Sequence, residues 1–139
     1  MSALVDTSVV LASLDPDEEH HAACDRLLAA GGHTLYVHGL AETFSILTGG
    51  RHGRRVSPAV ASSLIEHSVL PFVRVVSLTG REMMAALGAS EGRGVRGGAI
   101  YDLLHLVAAR KAGADKLVTL DLRNFQALCR PGDPRIESP

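Results

Sequence analysis

Aromatic side chains are nearly missing from this sequence, with no tryptophan, two tyrosines and three phenylalanines in 139 residues. Leucine, valine, alanine and isoleucine must therefore fill the core, and a 46% hydrophobic content is enough to build one. Cysteine is equally scarce. Cys24 and Cys129 lie far apart and in no metal-binding spacing, so both read as free structural thiols of the kind that reducing compartments keep unpaired. No apolar run approaches the roughly 18–20 residues that cross a bilayer. The opening Met1-Ser2-Ala3-Leu4-Val5-Asp6 has no basic segment of a secretory signal. These absences predict a soluble, cytoplasmic protein with no membrane partner. The net charge of −1 excludes a globally basic nucleic-acid coat, although Arg51, Arg54 and Arg55 cluster and Arg93 and Arg96 flank a glycine-rich stretch.

What the chain does have is alternation. A length of 139 residues fits one domain, since domains commonly run to about 100–150 residues. The expectation is a single unit over 1–139, with its core over about 3–129 and a short tail. Ala3-Leu4-Val5 reads as a buried strand, and Thr7 and Ser8 as caps for a helix broken at Asp15-Pro16-Asp17. A second helix is predicted over 18–30, with acids first and Gly31-Gly32 last. Strand Thr34–Val37 leads to a helix with Leu40, Phe44 and Leu47 on its buried face. Ser57-Pro58 opens another helix, Val73–Ser77 is a third strand, and Thr79-Gly80-Arg81-Glu82 matches a capping box. Residues 88–98 read as a glycine-rich loop. A helix over 101–112, stopped by Gly113, then precedes strand Lys116–Leu120 and a short helix to Cys129. Arg135-Ile136-Glu137 can add an edge strand. Strands and helices in this order predict an α/β, three-layer sandwich around a mainly parallel sheet of four to five strands.

Four acids recur at one kind of place. Asp6 and Asp121 end strands, while Glu42 and Asp102 lie near the starts of helices that follow the sheet edge. Each alone is accounted for as a helix cap or a solvated first-turn acid. Together they describe a crevice at the carboxyl ends of parallel strands. Carboxylates gathered there repel unless protonated or bridged by a cation, and Mg²⁺ favours such oxygen ligands while keeping waters that a phosphate can displace. The seven histidines show no zinc pattern: His20 and His21 are adjacent, so on a helix they point about 100° apart. His105 reads as a partly buried helix residue on the face of Asp102.

Leu4-Val5-Asp6-Thr7-Ser8, Ala41-Glu42, the run from Tyr101-Asp102 to Ala109, and the run from Leu117 through Asp121 to Phe125 together resemble a PIN domain. Length and motif order are similar to the VapC toxins of bacterial toxin–antitoxin pairs, over about residues 3–129. The resemblance implies a metal-dependent endoribonuclease that uses Mg²⁺, or Mn²⁺ in its place, and leaves a 5′-phosphate. It implies Asp6, Glu42, Asp102 and Asp121 as the metal-binding quartet, and Ser8 and Thr119 as supporting hydroxyls. Asn124 stands where some relatives carry another acid. A VapB-type antitoxin and a second copy of the chain are the implied partners. Arg51, Arg54, Arg55, Arg93 and Arg96 are candidates for gripping RNA phosphates, and Arg93 and Arg96 for meeting the antitoxin. Without aromatic neighbours these arginines have no visible base-stacking platform.

Two other readings are open. A non-catalytic binding module would share the fold without a working metal site, and the retained quartet argues against it. A flavodoxin-like phosphotransfer protein would need a lysine at a strand end, and Lys111 and Lys116 are the only lysines.

Overall fold

The computed structural model describes residues 2–50 and 55–139. Its elements alternate as expected: β1 (Ala3–Val5), α1 (Thr7–Leu14), α2 (His21–Ala29), β2 (His33–Tyr36), α3 (His38–Gly49), α4 (Pro58–Ser68), β3 (Val73–Val76), α5 (Gly80–Ala89), α6 (Ala99–Lys111), β4 (Lys116–Val118), α7 (Leu122–Leu128) and β5 (Arg135–Glu137). The five strands form one sheet in the order β3-β2-β1-β4-β5, and every pairing is parallel. From β1 at the centre the chain first builds outward through β2 and β3, then returns to add β4 and β5 on the other side. The reversal falls between β1 and β4, where parallel α/β sheets open a crevice beyond the strands' carboxyl ends.

Successive strand residues face opposite sides of the sheet, and this divides the core in two. Leu4, Tyr36 and Leu117 point into one apolar cluster with Leu103, Leu106 and Phe125 of α6 and α7. Ala3, Val5, Leu35 and Val118 point into the other, against Val9 and Val10 of α1 and Cys24 and Leu28 of α2. Helices therefore cover both faces, which makes the three-layer sandwich. Each fully buried Leu or Val contributes about 1.5–3 kcal/mol. Cys24 is free and buried, and its burial pushes the thiol pKa up to about 11, so it is an inert core group. Among the described residues no helix is long and apolar enough to cross a membrane.

Local rules set most boundaries. Ser57 accepts the Val60 amide with Pro58 at the first turn of α4, and Thr79 and Glu82 form the reciprocal capping box of α5 at 2.8 and 3.1 Å. Other expectations shift. Asp6, not Thr7 or Ser8, caps α1 through the Val9 amide. Helix α2 starts at His21 rather than at residue 18, because Asp15 Oδ1 accepts the Asp17 amide and holds a turn there. His21 then anchors on the Ala12 carbonyl at 2.8 Å. Strand β2 ends at Tyr36, and β4 ends at Val118 rather than at Leu120. Helix α3 buries Gly39 and Thr43, while Leu40 and Leu47 are half-buried and Phe44 is 37% exposed. Helix α3 comes close to the sheet at Gly39, where a Cβ would meet Leu35 Cδ1 at 2.9 Å, so a larger residue there would have to push that buried side chain aside.

Candidate active site

Asp6 leaves the end of β1 directly into α1 and is only 5% exposed. Both oxygens of its carboxylate accept hydrogen bonds. Oδ1 accepts from Ser8 Oγ at 2.5 Å and from the Val9 amide at 3.3 Å, and Oδ2 accepts from Thr119 Oγ1 at 2.7 Å. Each hydroxyl has a single proton, and both point it at Asp6. The same two oxygens accept in turn, Ser8 Oγ from the Leu120 amide at 3.0 Å and Thr119 Oγ1 from the Asp121 amide at 2.8 Å. Ser8 and Thr119 thus both bind the Asp6 carboxylate, and they join the end of β1 to the segment leaving β4. Asn124 donates to Asp121 Oδ2 at 2.7 Å, which orients that carboxylate from the first turn of α7.

Glu42 and Asp102 come in from α3 and α6. Glu42 Oε1 accepts from His105 Nε2 at 3.0 Å, with His38 Nε2 3.7 Å away one helical turn earlier. His105 is therefore the partner of Glu42, not of Asp102. It is 2% exposed rather than half-buried, and its Nδ1 is buried without a partner. Nε2 carries the proton in this arrangement, because a carboxylate only accepts.

The electrostatics follow the geometry. Burial raises the pKa of Asp6 above the ordinary carboxylate value, against the pull of Ser8, Thr119, the His105 charge and the Val9 amide. Burial also raises Asp102, and the charges of Asp121, Asp6 and Glu42 raise it further, while His105 opposes them. Burial disfavours the charge of Glu42 as well, yet the hydrogen bond and charge of His105 and the charge of His38 outweigh it and leave its pKa lowered. Asp102 thus feels the charge of all three other acids. Among the described residues, no three acidic or histidine side chains are drawn together tightly enough to enclose an ion. The donor set still fits a hard divalent cation, since positive charge would relieve the repulsion that raises Asp102.

The arginines divide. Arg93, expected to grip phosphate, is a strut: its Nη1 lies 2.7 Å from Asp133 Oδ2 and donates to the Leu128 carbonyl, and the side chain is 18% exposed. Asp133, 1% exposed, also takes Arg110 at 3.3 Å. Arg55 is exposed with its Nε on the Thr48 carbonyl. Arg96 is exposed and carries no hydrogen bond or ion pair among the described residues. Arg51 and Arg54 lie outside the described residues. Lys111 is tied to Glu82 and Lys116 to Glu137, so neither serves the strand-end role that phosphotransfer needs. One feature escaped the sequence reading: His38 and Tyr101 stack beside the acids with centroids 4.9 Å apart, an aromatic surface that spacing alone did not reveal.

Known proteins place this arrangement. The pattern defining the PIN domain matches residues 3–131. Ribonuclease VapC40 of Mycobacterium tuberculosis is 36% identical over 119 residues, covering 85% of each chain. Ribonuclease VapC27 of the same organism is 34% identical over 119 residues, 86% of this chain and 84% of that one. The crystal structure of Mycobacterium tuberculosis VapC20, described as a sarcin-ricin loop cleaving toxin, aligns with a TM-score of 0.70 at 25% identity, over 95% of this chain and 99% of that one. VapBC2 from Rickettsia felis, solved on promoter DNA, shares the fold with a TM-score of 0.68 at 17% identity, over 99% and 98% of the two chains. From the crevice at the β1–β4 reversal to the pattern that runs from residue 3 to residue 131, the chain belongs to the PIN domain family.

Proposed function

We propose that this protein is a metal-dependent endoribonuclease of the cytoplasm, the toxin of a type II toxin–antitoxin pair, silenced by a small VapB-type antitoxin. One observation carries the reading: the charges of Asp6, Glu42 and Asp121 all act on Asp102, at the switch point of the sheet. The relatives named ribonuclease and the toxin–antitoxin complexes among the structural neighbours support it. Asp6 and Asp121 would hold Mg²⁺, or Mn²⁺ in its place, with Asp102 and Glu42 completing the oxygen set. Bound there, the ion would lower the pKa of a water and offset charge growing on the scissile phosphate.

The chain's own residues prepare that chemistry. Ser8 and Thr119 fix the Asp6 carboxylate and favour its charged form, while Asn124 fixes Asp121. His105 and His38 both address Oε1 of Glu42 and favour its charged form. Arg96, and Arg55 with its neighbours Arg51 and Arg54, would meet the RNA backbone. A homodimer is part of the same reading.

The purified protein, freed of any partner, should cleave structured cellular RNA with Mg²⁺ or Mn²⁺ and stop on chelation. Asp6→Asn and Asp121→Asn should each remove the cleavage. Cleavage that survives chelation or both substitutions would overturn the reading. Growth arrest on expression, relieved by a co-expressed antitoxin, separates a toxin from a housekeeping nuclease.

A further inference from the structure

Helices α3 and α6 meet through two rungs. His38 and Glu42 sit one turn apart on α3, and Tyr101 and His105 one turn apart on α6. Glu42 bonds His105 on the inner rung, and His38 stacks on Tyr101 on the outer one, with the rings 8° from parallel. Tyr36 lies beneath, edge-on to His105 at 5.4 Å and tilted against His38 at 6.3 Å. Both tyrosines of the chain stand in this one cluster.

Burial grades sharply across it. Tyr36 and His105 are 3% and 2% exposed, whereas Tyr101 is 48% exposed and the His38 side chain 38%. Rings that only seal two helices together are driven to bury their faces. This outer pair instead keeps its surface in solvent, next to Asp102 in sequence and beside the Glu42 carboxylate. An open depression of about 500 Å³, lined by His38, Glu42, Ser45 and Gly49, adjoins the pair. Arg96, exposed and without a hydrogen bond or ion pair among the described residues, lies five residues before Tyr101.

We propose that the Tyr101–His38 stack is a nucleobase-binding subsite that takes one unpaired base of an RNA strand, next to the phosphate presented to the carboxylates. The proposal rests on the ribonuclease reading above. Every base has a π-face, so a parallel ring pair extends to a third ring without demanding a particular sequence. The substrate segment at this point is single-stranded, since a base paired and stacked in a helix offers no free face. Tyr101 acts here as a binding and positioning group and performs no chemistry.

The test uses the full chain and mixed-sequence single-stranded RNA decamers, intact or with one abasic nucleotide walked along the strand. Binding is read in an Asp6→Asn background, and cleavage in the otherwise native protein. Tyr101→Ala and Tyr101→Leu should each weaken binding about tenfold and raise KM, and Tyr101→Phe should restore both. Tyr101→Leu keeps an apolar group against His38, so a loss there reports the ring and not the packing. One abasic position should weaken binding to the Tyr101-bearing protein by a similar factor and have no further effect with Tyr101→Ala. Unchanged binding by both ring-less variants, or an abasic penalty that persists without the ring, overturns the subsite while metal-dependent cleavage stands. Absence of any metal-dependent cleavage sinks the ribonuclease reading instead, and the binding arm still decides the subsite.

Discussion

Replacing Thr119 by valine removes one hydroxyl and almost no volume, so it isolates the bond between β4 and Asp6. Two interactions disappear: donation to Asp6 Oδ2 at 2.7 Å and acceptance from the Asp121 amide at 2.8 Å. The first is a bond to a buried charge, worth about 1.5–3 kcal/mol, and the second an ordinary one, worth about 1 kcal/mol. The expected loss is therefore about 2.5–4 kcal/mol at neutral pH. It also depends on pH. Thr119 lowers the Asp6 pKa against the burial that raises it, so the variant's folded pKa lies higher still. A group whose folded pKa exceeds its unfolded one favours folding below the unfolded pKa and ceases to as pH rises through the folded pKa. The penalty of Thr119→Val should thus grow as pH climbs through that range and shrink in acid. Urea melts of the metal-free protein at several pH values measure it directly, with Thr119→Ser restoring most of the loss. A penalty below 1 kcal/mol, or one flat from acid to neutral pH, would refute the argument that this hydroxyl supports a charged Asp6.

Other predictions follow from the same geometry. Asp6→Asn should abolish cleavage yet gain stability relative to wild type as pH rises, because burial opposes the lost charge; a urea midpoint falling steadily behind wild type toward neutral pH would contradict this. Mn²⁺ at about 100 times its Kd should raise wild-type stability by about 2.7 kcal/mol, seen as a higher melting temperature that Asp6→Asn and Asp102→Asn both lose. Asp133→Ala should cost about 3 kcal/mol because it strands Arg93, whereas Arg110→Ala, with its side chain 54% exposed, should cost under about 1 kcal/mol. Equal costs in urea melts would show that Arg93 is not the strut.

Strand-end acids were legible because their position follows from local pattern. An apolar run that stops at an acid, met twice, points Asp6 and Asp121 to one sheet edge; β1 and β4 do pair in parallel, but β4 stops at Val118, so Asp121 leads into α7 instead of ending the strand. The caps of α4 and α5 were legible for the same reason, since each closes within four residues. Long-range partners were not. Spacing put His105 on the face of Asp102, but it could not say that Glu42, 63 residues earlier, would lie opposite. Arg93 looked free because Asp133, 40 residues later, sits in what reads as a loose tail. Phe44 was assigned inward by hydropathy, whereas the helix turns Gly39 and Thr43 to the sheet and leaves Phe44 37% exposed. The scarcity of aromatics correctly predicted an aliphatic core and gave no sign of the His38–Tyr101 ring pair, because only the fold brings His38 to Tyr101.

The clasp between Asp6 and the segment after β4 has a consequence for synthesis. Strand β1 is made well before β4, so its edge facing β4 has no strand partner until residues 116–118 are synthesised. Before then Asp6 lacks Thr119, and the crevice lacks Asp121 altogether. On the proposed function, a ribosome making this protein must pass residue 121 before any nuclease exists to attack RNA. Truncated products that end short of β4 would then lack the site.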